Sequence, residues 1–438
     1  MKYHKMRQIM NLLLIGLILI FCLGCAQNRQ SVADRDIQIQ DLRQLVTADN
    51  QHARLLLWRG AASQNYVVEY RLHDSSFSEK VKAEAAPFKD GDWSYYQYRA
   101  LLQGLQAGST YEYRIKSDDR IGQWHKLQTS ADNKVTALIF PDSQSSDYAG
   151  WGRLANNAYK QNPQADLYVN MGDLVDNGQD SRQWESWLSQ VSTFSSELPL
   201  APVIGNHETY TLDWKLRYPE SYIKLFEVPA AGSEKYPGQF YSFDYGNVHF
   251  TVLDTNFQEM QALQPQLLAD ELKWLEQDLA GSKALWKVVL MHKDIMLYGF
   301  TNRPGTTEHF TDAGTALMPV FEKYRVDLVL SAHLHTYRRR VPLKNFQPDS
   351  DGLVYILTGV AGSVRYADLW KNSALDAAKA PQPETDNYLT LEANDRELIC
   401  RAFLSDGSKF DEVHITKNKI SPSLRRAFAF VDKRLTGC

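Results

Sequence analysis

The chain has 438 residues, 44% of them hydrophobic and 23% charged, with 23 Tyr, 18 Phe and 10 Trp. That supplies more than one domain with its own core, and it is too aromatic for a disordered or fibrous chain. A formal net charge of −4 excludes a nucleic-acid coat or a polybasic membrane binder, so no nucleic-acid partner is expected.

Residues 1–24 read as an export signal. Lys2, Lys5 and Arg7 precede an apolar run of twelve, Leu12 to Leu23. Against the roughly 20 residues of a bilayer crossing this is short, and it is the right length for a signal-peptide core. The run ends Phe21-Cys22-Leu23-Gly24-Cys25-Ala26, which resembles the lipobox of bacterial lipoproteins, with Cys22 where Leu is usual and Leu23 where a small residue is usual. The resemblance implies that Cys25 becomes the lipidated first residue, and Ala26 in place of Asp implies an outer membrane where the host has two. An uncleaved anchor and an ordinary signal peptide are the alternatives. All three readings put the rest of the chain outside the cytoplasm, in contact with the membrane only through its N-terminus. Cys400 and Cys438 could pair in such a compartment, or Cys400 could be a small core residue.

After a linker over 25–37, residues 38–131 read as β throughout. Arg54 to Trp58, Tyr66 to Leu72, Trp93 to Leu102 and Thr110 to Ile115 are apolar or alternating, with turn signals at Asp90-Gly91 and Ala107-Gly108. Short strands at this spacing predict a β-sandwich. Leu105 to Arg114 resembles the penultimate-strand signature of fibronectin type III-like domains. Nothing in this segment looks catalytic.

From 132 to 418 strands alternate with helical stretches such as Trp184–Ser196 and Leu267–Leu279, and 419–438 form a tail. The polar residues fall in one kind of place. Five apolar strands run into Asp142, Gly172-Asp173, Gly205-Asn206-His207-Glu208, His292 and His333-Leu334-His335. Sites in sheet-based α/β architectures are built beyond such C-terminal strand ends. Asp142, Asp173, Asn206, His292, His333 and His335 are oxygen and imidazole donors without thiolate, which suits Mn, Fe or Zn. Two ions about 4 Å apart can hold a bridging hydroxide and clamp a phosphoryl group.

The ordered set Asp142-x-Gln144, Gly172-Asp173-Leu174-Val175-Asp176, Gly205-Asn206-His207-Glu208, His292 and Ala332-His333-Leu334-His335 resembles the motifs of the calcineurin-like metallophosphoesterases. The β domain in front, with Tyr337-Arg338-Arg339 after the last ligand, resembles the purple acid phosphatase branch. The implied architecture is an all-β fibronectin III-like sandwich followed by an α/β four-layer (αββα) domain. By position, Asp142, Asp173 and His335 would hold one metal, and Asp173, Asn206, His292 and His333 the other. His207 would be the general acid, Asp176 the carboxylate that orients it, and Glu208 a support behind the site. Asp176 stands where the purple enzymes carry Tyr, which implies a colourless protein whose first metal need not be ferric iron. Gln144 stands where the wider superfamily has His. It either ligates a hard ion through its amide oxygen or holds a water.

His309, in the Gly299–Gly314 loop, is a substrate contact or a surface histidine; Tyr337 and Arg338 are further substrate candidates. The expected activity is hydrolysis of small phosphomonoesters by metal-bridged hydroxide with a histidine acid. The alternatives are a phosphodiesterase or nucleotide hydrolase on the same centre, and a surface-binding protein with a vestigial site.

Overall fold

The computed structural model describes residues 37, 39–60, 64–118, 120–131, 133–229, 235–366, 368–381 and 385–417. The signal, Cys25, most of the linker, Cys438 and the C-terminal tail lie outside the described residues.

The first eight strands are β1 (Gln40–Leu45), β2 (Ala53–Gly60), β3 (Val67–Leu72), β4 (Glu79–Lys82), β5 (Glu84–Asp90), β6 (Trp93–Gln103), β7 (Thr110–Lys116) and β8 (His125–Gln128). They form two facing layers, β1-β2-β6-β5 and β4-β3-β7-β8. Alternation along β7 buries Tyr111, Tyr113 and Ile115, which pack with Trp58, Val68, Tyr66 and Tyr98 between the layers. The expected sandwich is therefore present.

The second half opens with β9 (Val135–Phe140), β10 (Leu167–Asn170) and β11 (Leu200–Pro202), then β12 (Tyr241–Tyr245), β13 (Val248–Leu253) and β14 (Trp286–Met291). A small hairpin, β15 (Met296–Leu297) with β16 (His309–Phe310), leads to β17 (Leu328–Ser331) and β18 (Arg338–Arg340). Then come β19 (Leu343–Lys344), β20 (Gln347–Pro348), β21 (Val354–Leu357), β22 (Asp376–Lys379), β23 (Asn387–Ala393), β24 (Glu397–Leu404) and β25 (Lys409–Thr416). One seven-stranded sheet runs β12-β13-β14-β17-β21-β18-β22. It faces β25-β24-β23-β9-β10-β11 across a core that includes Val169, Phe250, Leu290, Leu330 and Cys400.

Helices cover the outer faces. On one side lie α1 (Ala149–Gln161) and α2 (Ser181–Val191), followed in sequence by the short α3 (Glu220–Leu225); on the other lie α4 (Leu267–Gly281) and α5 (Asp312–Lys323). In α2, Asp180 accepts the Arg182 N–H at the N-cap, and Trp184, Trp187, Leu188 and Val191 make one buried stripe at helical spacing. Trp187 also donates its indole N–H to Ser143 Oγ at 2.9 Å, so a core residue supports the loop that carries Asp142. The order helix, sheet, sheet, helix is the expected four-layer domain.

The two halves share more than a linker. The sandwich layer β1-β2-β6-β5 continues the β9–β11 sheet, because β1 pairs parallel with β11 at Leu45 and Leu200. The buried Arg43 guanidinium donates to the Leu225 carbonyl at 2.8 and 3.0 Å, and Tyr113 donates to the Ser196 carbonyl at 2.6 Å. Burial, first of all causes, lowers the Arg43 pKa to about 10. Among the described residues no helix is long and apolar enough to cross a membrane.

Candidate metal centre

Strands β9, β10 and β11 are mutually parallel, as are β13, β14, β17 and β21, so their C-terminal ends gather at one edge of the facing sheets. Asp142 follows β9, Asp173 follows β10, Asn206 follows β11, His292 follows β14, and His333 and His335 follow β17. The chain turns sharply at these positions. Asp173, His333 and His335 have positive φ of 49°, 73° and 50°, a conformation that non-glycine residues adopt only where surroundings enforce it. Gly172 (φ +96°) and Gly205 explain themselves by space: a Cβ on the first would lie 2.5 Å from His292 Nδ1, and on the second 2.3 Å from the Asp173 nitrogen.

Donor atoms converge in two groups, Asp173–His292–His333 and Asp142–Asp173–His335, each within 4.8 Å, and Asp173 belongs to both. His292 Nδ1 lies 2.9 Å from the Met171 carbonyl, which turns Nε2 toward Asp173 Oδ2 (3.1 Å), Asn206 Oδ1 (3.2 Å) and His333 Nδ1 (3.2 Å). His335 Nδ1 lies 3.0 Å from the Val364 carbonyl, leaving Nε2 3.1 Å from Asp142 Oδ2. Ring nitrogens tied to carbonyls in this way present the other nitrogen as a lone pair. Carboxylate, amide and imidazole acceptors packed at such distances fit cations between them. The Gln144 Oε1 atom, buried and without a hydrogen-bond partner, fits the same reading.

Electrostatics agree with the geometry. Burial opposes the Asp173 charge, but the His292 ring, with His207 and His333, holds its carboxyl well below the usual carboxylate range. Burial likewise opposes protonation of His292, yet Asp173 outweighs it and raises the ring to about 9. A bound cation replaces such a proton, since ligands bind deprotonated. Burial and the neighbouring His292 push His333 down to about 3.

His207 lies partly exposed beside the cluster, its Nε2 3.9 Å from Asp173 Oδ2 and 3.3 Å from Gln144 Nε2. Its Nδ1 contacts the Asp176 main-chain carbonyl at 2.7 Å, whereas the Asp176 carboxylate is 3.6 Å away. The residue that orients the ring is the expected one, but the orienting atom is a backbone oxygen, a correction to the carboxylate role. Burial works against its charge, and Asp173 with the Asp176 carbonyl outweighs burial, so the His207 pKa is raised.

Two expected substrate contacts are corrected. Tyr337 points into the inter-sheet core and donates its hydroxyl to Asp411 at 2.7 Å. Arg338 is buried and donates to Asp376 at 2.8 Å. Both side chains are committed away from the donor cluster. His309 is exposed on β16, with Nδ1 3.4 Å from the Thr307 carbonyl.

Glu208 stands behind the site, as its place in the motif implied. Its buried carboxylate accepts the N–H groups of Gly205 (2.7 Å), Asp173 (3.0 Å), Leu174 (2.9 Å) and Val175 (3.4 Å). Burial and then Asp173 push it up to about 7. The insert that begins at Tyr210 does wall the site, through the Tyr210 and Trp214 rings beside His207, whereas the Tyr366 ring stacked on His335 was not expected from the sequence.

Two facing sheets whose parallel strands bring oxygen and nitrogen donors around one shared carboxylate thus offer two adjoining groups that could hold metal ions. Residues 124–337 match the calcineurin-like phosphoesterase family, and residues 40–129 match the purple acid phosphatase N-terminal domain. The chain is 28% identical over 331 residues to purple acid phosphatase 21 of Arabidopsis thaliana, covering 72% of this chain and 70% of that one. It is 28% identical over 194 residues to purple acid phosphatase 23 of the same plant, where the match spans 43% of this chain but only 39% of the relative. Purple acid phosphatase PPD1 from yellow lupin (Lupinus luteus) seeds has the same fold, with a TM-score of 0.73 at 17% identity, covering 86% of this chain and 74% of that one. Residues 124–337 thus form a calcineurin-like phosphoesterase domain, behind a domain of the purple acid phosphatase N-terminal type at residues 40–129.

Replacing Glu208 by Gln puts an amide NH₂ among four N–H donors. Metal affinity, measured by calorimetric titration of the metal-free protein, is expected to fall about 10–100-fold, as when partners behind the ligands are lost. Unchanged affinity would mean that the loops hold themselves.

Proposed function

We propose that this protein is a metal-dependent phosphoric monoester hydrolase that works outside the cytoplasm, tethered by lipid on Cys25. The observation that carries the activity is the Asp173 carboxylate common to both donor groups, with His207 Nε2 beside it. Asp142, Asp173 and His335 would hold one ion, and Asp173, Asn206, His292 and His333 the other. Mn, Fe or Zn suits these donors, and Asp176 in the place of a phenolate leaves the protein colourless. Bound there, the two ions supply Lewis acidity toward the phosphoryl oxygens and lower the pKa of a water.

The chain's own residues do the rest. The loops of Asp142 and Asp173 are clasped together, since Ser143 N and Gln144 N both donate to the Asp173 carbonyl, at 3.1 and 3.0 Å. This fixes the spacing of the two donor groups. His207, held through Nδ1, presents Nε2 to protonate the departing ester oxygen. Relatives named as phosphatases favour ester hydrolysis. The segment after Glu208 packs against His207 and narrows that side, which favours monoesters over diesters with a second substituent. The basic start, the short apolar run and Cys25 support export and lipidation.

With Mn or Zn saturating, kcat/KM for an aryl phosphate is expected to exceed that for the matching bis-aryl phosphate. A tenfold diester preference would promote the phosphodiesterase reading, and no turnover of either would favour a binding protein. His207→Ala should slow esters of poor leaving groups by about 10²–10⁴ and aryl esters much less; equal losses would remove His207 as the acid. Finally, Cys25→Ser should release the protein from membrane fractions with its activity retained, since β9 begins more than 100 residues later. Persistence in the membrane after that substitution would contradict the lipid anchor.

A further inference from the structure

The segment after the Gly-Asn-His-Glu motif forms a tight hairpin with an unusual tip. Tyr210 bridges to Leu216, Thr211 N donates to the Lys215 carbonyl at 2.8 Å, and Trp214 N donates to the Thr211 carbonyl at 2.9 Å. The hairpin is pinned to the loop beyond Asp176: Asn177 Nδ2 donates to the Thr211 carbonyl at 2.7 Å, and Leu212 N donates to Gln179 Oε1 at 2.9 Å. Trp214 sits at φ +61°, a backbone conformation that bulky side chains avoid. Yet its side chain is not buried by that arrangement; it stays 55% exposed. Its indole stands edge-on to the His207 ring (5.9 Å between centroids, 89°), as does Tyr210 (5.7 Å, 86°).

A second aromatic borders the other donor group. Tyr366 stacks on His335 (4.5 Å, 16°) and remains 39% exposed. Trp214 and Tyr366 thus each rest one part of the ring on a site histidine and present another part to solvent beside the donor groups. Rings of this kind gain energy by offset or edge-on contact with another ring.

Resting on the monoesterase reading, in which His207 protonates the departing oxygen, the geometry points to a leaving-group site. We infer that Trp214, with Tyr210 behind it and Tyr366 across the centre, selects phosphomonoesters whose leaving group carries a planar aromatic ring near the ester oxygen. His207 places the leaving group on the Trp214 side, so Trp214 is the principal determinant and Tyr366 the second wall.

The test uses the full-length, metal-loaded protein and two esters of matched leaving-group chemistry, benzyl phosphate and cyclohexylmethyl phosphate, with glycerol 2-phosphate as a ringless reference. The benzyl ester should be preferred by about three- to tenfold in kcat/KM, chiefly through KM. Trp214→Ala should bring that ratio near one and Tyr366→Leu should reduce it. Leu212→Ala, on the same hairpin but in neither ring contact, should keep the ratio of the intact protein. A ratio within about twofold of one in the intact protein, or an unchanged ratio in Trp214→Ala, overturns the inference. A second pair, adenosine 5′-monophosphate against ribose 5-phosphate, separates the sources of the ring: discrimination there assigns a nucleobase, and discrimination in the benzyl pair alone assigns a small aryl ester. Absence of hydrolysis of all these esters would refute the monoesterase reading instead. Calorimetric binding of benzylphosphonate against cyclohexylmethylphosphonate then still decides the ring preference.

Discussion

A single buried carboxylate holds the centre in shape. Glu208 accepts N–H groups from both the Gly205 turn and the Asp173–Val175 turn, so two strand ends, Asn170 and Pro202, 32 residues apart, are tied to one side chain. A carboxylate with several N–H donors is a strong, charge-assisted clamp. It keeps Asp173 in its left-handed conformation, and Asp173 Oδ1 then accepts the His207 N–H at 2.9 Å. The shared carboxylate and the candidate acid are therefore set by one interaction that touches neither substrate nor donor atoms.

The wider fold protects that arrangement. Asp142 accepts the His333 N–H through both carboxylate oxygens, at 2.9 and 3.0 Å, and its carbonyl receives the Ala361 and Gly362 N–H groups. Donors from one sheet are thereby fixed against the other. Behind His292, Asp294 takes both guanidinium nitrogens of Arg340 (3.0 and 2.8 Å) and the Ser331 hydroxyl (2.7 Å). Taking two charges from water is costly, and good geometry with added hydrogen bonds offsets much of that cost. The N-terminal sandwich adds support through Arg43 and Tyr113, which grip α3 and the approach to β11, the strand that leads to Asn206.

The donor set was legible because each donor immediately follows an apolar run, and parallel pairing alone brings such ends together. Trp286 to Met291 and Val135 to Phe140 form strands with those bounds. Partners distant in sequence were not legible. Tyr337 and Arg338 follow the last ligand closely, yet Tyr337, just ahead of β18, turns into the inter-sheet core, and Asp376, 38 residues on, claims Arg338. The union of sandwich and central sheet was equally hidden, since it rests on one parallel register between Leu45 and Leu200. The Asp176 correction has a similar cause: side-chain identity says nothing about which carbonyl a turn aims at a ring.

The same logic makes Gln144 more than a replacement for a histidine. Its Nε2 faces His207 Nε2 at 3.3 Å, while His207 Nδ1 is engaged with the Asp176 carbonyl. With its nitrogen toward the ring, the amide donates to the form of His207 that carries its proton on Nδ1 and accepts at Nε2. The amide oxygen is then left buried and unpartnered, available to a cation or a water. Once His207 Nε2 holds a proton, two donors face each other, and the amide must turn its oxygen to the ring. An imidazole cannot exchange donor for acceptor by a half-turn about its last bond while keeping its position, whereas an amide can. An amide at position 144 can thus meet either form of His207 from one place, which a histidine there could not.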